Sequence, residues 1–326
     1  MMKMITLISL VPAVLLGAAS CSDTLNNDQF IPEDSMPISD SSVQWKHESL
    51  GEGLTYHTFS ALDVVSKAQQ MVYVLEVDLN NPAYAVQFYI NKNGSTCSDA
   101  VKSTGAIAGM NAGYELSSIF VRIDGTEYTA IPNLTVGSTD VPQWKSSAAL
   151  YCDNDRDVRI EYTGKGLTVD QQRQAYRMSE SRNIISSAPM LVDDYDPVGE
   201  QFVDYSLTDQ QWQALNYEDP NRHQRARHPR SAVALTGDNH LLLFVVDGRR
   251  TYISEGMNAR ELTQFLVRYF HPRYAINMDG GGSSTLVIKG KGGASNNVVN
   301  FPTDGSTFDH TGVRRVSTHI LIQSVR

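Results

Sequence analysis

The stretch "RSAVALTGDNHLLLFVVDGR", residues 230 to 249, limits the fold more than any other. Two apolar runs flank Gly237-Asp238-Asn239, a turn signal, so the segment predicts a β-hairpin. Both runs are apolar enough to be buried strands rather than surface ones. A chain that contains such a hairpin must supply a sheet around it and something to cover that sheet.

The rest of the sequence supplies both. "MVYVLEVDL" (71 to 79) and "AYAVQFYI" (83 to 90) are rich in β-branched and aromatic residues and read as paired strands across "NNP". A short helix and then a buried strand are expected over "CSDAVKSTGAIAGMNAGYE", ending in the turn Asn111-Ala112-Gly113. Asp124-Gly125 marks a second hairpin, and a turn around residues 153 to 157 marks a third. Residues 170 to 182 are compatible with a helix. "SLTDQQWQALN" reads as a short helix capped by Ser206 or Thr208. "NARELTQFLVRYF" places Leu262, Phe265, Leu266 and Tyr269 on one helix face. Asn258 and Glu261 have capping-box spacing, and His271-Pro272 ends the helix. "YAINMD" is a strand, "TLVIKG" its continuation or partner, and "RRVSTHILIQSV" the last strand. The fold class expected is α+β: a single strand-rich domain with a mixed or antiparallel sheet and a few packed helices.

The first 20 residues stand apart. Lys3 precedes a short apolar run, and Ala18, Ala19 and Ser20 lead to Cys21, a bacterial lipobox pattern. The run is too short for a membrane span. Residues 1–20 therefore predict a lipoprotein signal peptide, with Cys21 lipidated as a membrane anchor at the cell envelope; ordinary cleavage near Ala19 is the alternative. Residues 21–45 read as a flexible, acidic tether. Residues 46–326 form the domain, with 41% of the whole chain hydrophobic. A formal charge of −9 argues against a nucleic-acid partner. Cys97 and Cys152 have two readings, a pair or two buried thiols. No CxxC or His/Cys spacing suits zinc. The sequence calls for no cofactor and leaves a bound cation open.

Polar residues gather where the apolar runs end: Asn111, Arg230, Asp247, Arg249 and Asp279. If those strands are neighbours, these residues share one rim. The run "NMDGGGSST" (277 to 285) sets three glycines and three hydroxyls, Ser283, Ser284 and Thr285, beside Asp279. Such a loop forms either a tight bend or an anion nest of backbone amides. A nucleotide loop would need Lys after the glycines and a helix beyond, and this chain has Ser and a strand. "RHQRARHPR" (222 to 230) reads as a solvated loop, except for Arg230, which abuts a buried strand and can present a fork to phosphate. His228, His310 and His319 read as structural.

The hairpin, the segment "SEGMNARELTQFLVRYFHPRYAINMDGGGSSTLVIKG" and "RRVSTHILI" resemble the phosphodiester glycosidase family, in the same order over roughly residues 70 to 326. "GAIAGMNAGY" is similar to an earlier motif of that family, with Ala112 and Tyr114-Glu115 in place of Gly and Phe-Phe. Segment 170–228 has no feature that aligns and reads as a lineage-specific insertion shaping the substrate pocket. The resemblance implies hydrolysis of the sugar C1–O bond of a sugar-1-phosphodiester or phosphoglycan, releasing free sugar and a phosphomonoester. It implies Asp279 as nucleophile or general base, with Asp247 a second carboxylate and Arg230 at the phosphate. Arg249, Arg314, Gly281, Gly282, Ser283 and Ser284 would bind phosphate, and Asn111 a sugar hydroxyl. A lipid-anchored glycan-binding protein without turnover and a phosphodiesterase cutting P–O are the alternatives.

Overall fold

A computed structural model describes residues 45–325 apart from residues 133, 137, 138, 142 and 143. The export signal, Cys21 and the tether as far as residue 44 lie outside the described residues. Three sheets carry the architecture, and every strand pair in them is antiparallel. The largest has seven strands, in the order Trp45–Gly51, Leu54–Asp63, Ala68–Asp78, His240–Val246, Arg230–Leu235, Tyr274–Asn277 and Met190–Asp193. A five-stranded sheet runs Val158–Glu161, Ala148–Cys152, Ile184–Ser187, Phe120–Ile123, Thr126–Ala130. A four-stranded sheet runs Leu286–Ile288, Ala108–Asn111, Val316–Ser324, Tyr84–Ser95. The expected α+β class is observed.

The hairpin at residues 230 to 246 sits near the middle of the seven-stranded sheet, buried on both faces. Leu241, Leu243 and Val245 face an interior shared with the other two sheets. Leu242, Phe244 and Val246 face the helix Ala259–Phe270, whose Leu262, Phe265, Leu266 and Tyr269 form the covering layer. Two-sided burial explains why both runs are apolar throughout instead of alternating. The helix starts where expected: the Asn258 side chain accepts from the Glu261 amide at 2.9 Å, and the Glu261 carboxylate accepts from the Asn258 amide at 3.0 Å. Removing such a cap costs about 1 kcal/mol. The helix ends at His271, in left-handed conformation, before Pro272.

Two expected pairings are corrected. Strands Ala68–Asp78 and Tyr84–Ser95 are neighbours in sequence but belong to different sheets. The intervening turn carries the chain across the shared core, and each strand finds a distant partner. Strand Leu286–Ile288 pairs with Ala108–Asn111, not with Tyr274–Asn277, so the glycine run is also a crossing between sheets. Segment 170–228 is woven into the fold, since Ile184–Ser187 is internal to the five-stranded sheet and Met190–Asp193 edges the seven-stranded one. Cys97 and Cys152 are free and buried. Burial raises both thiols, pushing Cys152 up to about 12.

Candidate active site

The register of the seven-stranded sheet builds the site. Ala232 pairs with Asn277 on the neighbouring strand. Continuing that antiparallel register sets Arg230 opposite Asp279, just beyond the regular pairing. Two backbone bonds hold the frame there: Met278 N donates to Ser231 O and Gly281 N to Pro229 O, both at 2.8 Å. The Asp279 amide donates across to Ala112 O at 3.0 Å, which ties this end to the loop after strand Ala108–Asn111.

A cavity of 480 Å³ opens at this junction. Its wall includes Asp279, Arg230, Arg249, Arg314, Gly281, Gly282 and Ser283, so seven of the expected site residues share one space. Asp247, Asn111 and Ser284 are not in the wall. Asp247 turns inward. Its carboxylate accepts from Asn300 Nδ2 at 3.0 Å and from the Phe301 amide at 3.0 and 3.1 Å. Burial pushes that carboxyl up to about 7 against these bonds. Asp247, expected as a second carboxylate, thus lies outside the cavity wall, and its bonds anchor the segment that leads to Arg314.

Asn111 also lies outside the wall. Its Oδ1 accepts from Ser231 Oγ at 2.8 Å and from the Thr285 amide at 3.1 Å, and its Nδ2 donates to Asp279 O at 2.7 Å. The side chain is buried and joins three elements around the site. Asn111→Ala orphans three buried groups at about 1 kcal/mol each or more. We expect a loss of about 2–4 kcal/mol, read by denaturant unfolding. A variant that raises KM with unchanged stability would point instead to a sugar contact.

The glycines also differ from the expected nest. The amides of Gly281, Ser283 and Ser284 donate to carbonyl oxygens of Pro229, Gly280 and Gly281, so they are spent on the turn Gly281–Ser283. What the glycines supply is room. A Cβ on Gly281 would lie 2.9 Å from Arg249 Nη2, and one on Gly282 would lie 2.5 Å from Arg314 Nη2. Gly281 also has φ +62°, a conformation that costs other residues energy. The bend thus lets two guanidinium groups lie against the backbone beside Asp279.

Arg230 is the most unusual group. It is 1% exposed, yet it lines the cavity. Nε donates to Met257 O at 2.8 Å, Nη1 to Gln224 Oε1 at 2.9 Å, and Nη2 to Ala226 O at 2.8 Å and His223 O at 3.3 Å. Every one of these acceptors is neutral. Burial lowers its pKa, but an arginine remains a cation. One N–H on Nη1 is left over from the five that the group carries. Gln224 is itself held, since its Nε2 donates to Tyr114 Oη at 2.9 Å, and Asn277 Nδ2 donates to the same oxygen at 2.9 Å.

Asp279 is partly exposed inside the cavity, with protein on most sides. Burial pushes its carboxyl up to about 6; the Ser283 hydroxyl, Lys145 and Arg314 oppose the rise and Glu115 adds to it. The other carboxylates in the wall, Glu115 and Glu218, both pair with the buried Lys145, at 2.7 and 2.6 Å. Desolvation raises the Glu115 carboxyl, but Lys145 and Ser118 outweigh it and the net shift is downward. Arg314 pairs with Asp304, and among the described residues the Arg249 side chain reaches only Thr303 Oγ1, at 3.5 Å. The sequence reading missed Lys145, Glu218 and the Tyr114–Gln224 support. Tyr114 and Glu115 stood out only as departures from a pattern, yet both make contacts that a Phe cannot.

The chain belongs to the phosphodiester glycosidase family: the family's model matches residues 104–323. That match runs through segment 170–228. Among solved structures, the catalytic domain of zebrafish N-acetylglucosamine-1-phosphodiester alpha-N-acetylglucosaminidase, auto-inhibited by its pro-peptide, is similar, with a TM-score of 0.56 and 19% identity. The alignment covers 90% of this chain and 92% of that one. A hypothetical protein from Synechocystis matches with a TM-score of 0.54 and 13% identity, over 86% of this chain and 64% of the other. A putative exported protein from Burkholderia pseudomallei K96243 matches with a TM-score of 0.50 and 15% identity, over 82% and 76%. At these identities the structures establish a shared fold. No curated protein matches the sequence.

Proposed function

We propose that this protein hydrolyses the C1–O bond of a sugar-1-phosphodiester, releasing free sugar and a phosphomonoester. The observation that carries the reading is the placement of Arg230 and Asp279. They face one cavity from adjoining strand ends, one a buried cation whose hydrogen-bond acceptors among the described residues are all neutral, the other a carboxylate. A buried charge without a counter-charge is costly unless a ligand supplies one. A phosphodiester supplies one negative charge, and the departing monoester more. Arg230, with Arg249 beside it, stabilises charge that grows as the C–O bond breaks. A phosphate leaves far more readily than an alcohol, so the site needs little general-acid help. Asp279 meets C1, either attacking it directly or taking a proton from the attacking water. Glu115 and Glu218, both paired with Lys145, are acceptors for sugar hydroxyls.

Turnover of a panel of sugar-1-phosphodiesters in oxygen-18 water tests this. Label is expected in the released sugar. Label in the phosphate would make the protein a P–O cleaving phosphodiesterase. Tight phosphoglycan binding with no turnover would make it a glycan-binding protein.

A further inference from the structure

His228 lines the same cavity, and neither of its ring nitrogens has a hydrogen-bond partner among the described residues, although both atoms are shielded from solvent. That is an expensive arrangement for two polar atoms unless a ligand completes it. The ring's place is fixed by its backbone. His228 N donates to Met257 O at 3.3 Å and Met257 N to His228 O at 3.1 Å. Gly256, at φ +84°, packs so closely that a Cβ there would lie 2.4 Å from His228 O. Arg230 and Arg249 share the cavity wall with the imidazole, and the His223 ring lies 6.5 Å away, centre to centre. Burial first, then the two arginines, push its pKa down to about 3, so the ring is neutral at physiological pH. A neutral imidazole has one N–H to donate.

We propose that His228 donates a ring N–H to a non-bridging oxygen of the phosphate held by Arg230 and Arg249, making it a phosphate-binding residue. The proposal rests on the cavity being the phosphate site. It explains why a histidine shares the wall with two arginines. A third cation would tighten the grip on a dianionic product, whereas a neutral donor orients the phosphate without adding charge.

Inorganic sulfate is a suitable probe, because it stays a dianion across the working range. Sulfate is titrated calorimetrically into the purified protein, His228→Ala and His228→Gln at pH 7.5, with thermal unfolding as the folding control. His228→Ala is expected to weaken sulfate binding about tenfold or more, and His228→Gln to recover part of the loss through its amide N–H. In the wild-type protein labelled with nitrogen-15 histidine, the His228 ring resonances are expected to move on saturation. Unchanged affinity in a folded His228→Ala, or ring resonances that stay still while sulfate binds, would overturn the role of His228 and leave the phosphate site standing. Sulfate that fails to bind the wild-type protein would remove the phosphate site itself, and this proposal with it.

Discussion

Asp279→Asn is expected to lower kcat/KM for a sugar-1-phosphodiester by about 10³-fold or more, while making the protein more stable at neutral pH. The two effects share one cause. Enclosure pushes the carboxyl up to about 6, well above its ordinary value of 3.8. A raised acid binds its proton more tightly in the native state than in the unfolded chain. Native stability from this group is therefore fully present below the unfolded pKa, and it falls as pH rises through 6. At pH 7.5 the native protein holds the ionised carboxylate at a cost, and the neutral amide removes that cost. We expect a gain on the order of 1 kcal/mol, less than the whole shift implies because cavity water still reaches the group. The gain should vanish near pH 4, where both forms are neutral. Activity runs the other way in the wild type. The ionised form attacks or accepts a proton, so kcat/KM should fall below about pH 6. Rate and unfolding profiles for both proteins from pH 4 to 8 check this. A variant of normal activity would remove Asp279 from the chemistry. A destabilised variant at pH 7.5 would show that the carboxylate is a strut.

Local signals in the sequence were honest about local structure. The capping box at Asn258 and Glu261 forms as its spacing predicts. Asp124 and Gly125 both take positive φ, as a tight two-residue hairpin requires. Apolar runs announced burial, but burial does not name a partner. That is why strands Ala68–Asp78 and Tyr84–Ser95 read as a pair while lying in different sheets. The N-terminal hairpin Trp45–Gly51 and Leu54–Asp63 escaped notice, because its first strand is largely exposed and depends on Trp45 packing against Phe59, Phe265 and Phe270.

The site divides along the same line. Asp247 and Asp279 both follow apolar strands, and nothing within either strand separates them. Asp247 is claimed by Asn300 and Phe301, more than fifty residues away. Among the described residues the Asp279 carboxylate meets no such amide, and it lies in the cavity wall. The glycine run lines the cavity, but fewer of its amides face it than three glycines suggest: those of Ser283 and Ser284 close the turn, and that of Gly281 bonds Pro229 O. The lack of side chains matters because Arg249 and Arg314 occupy that volume. Lys145 gave no signal at all, since its partners Glu115 and Glu218 flank it at distances of 30 and 73 residues along the chain.

On the proposed reading Arg230 is ligand group and strut together, so truncating it confounds the two. Arg230→Ala leaves the carbonyls of Ala226 and His223 and the Gln224 amide oxygen without the donors it supplies, and leaves the Met257 carbonyl with the His228 amide. It also opens a void at one of the largest fully buried side chains. More than about 3 kcal/mol of stability should be lost, and an inactive Arg230→Ala would then say little about chemistry. Arg230→Lys separates the roles. The ammonium keeps the charge and reaches one or two of the carbonyls, but it has no planar fork to span Met257 and Gln224 while still offering an N–H to the cavity. We expect a folded protein, destabilised by about 1–2 kcal/mol, whose kcat/KM falls by about 10²–10³-fold, the scale on which lost oxyanion donors are felt. If the charge grows in the transition state, the loss should sit mainly in kcat; if the arginine binds substrate and transition state alike, KM should carry it. Full activity in Arg230→Lys would show that position 230 needs only a cation, and Arg230→Met, similar in length and uncharged, would then have to abolish turnover while folding. A folded and active Arg230→Met would remove the guanidinium from the reaction and leave it the strut beneath a cavity whose anion is held by other groups of the wall.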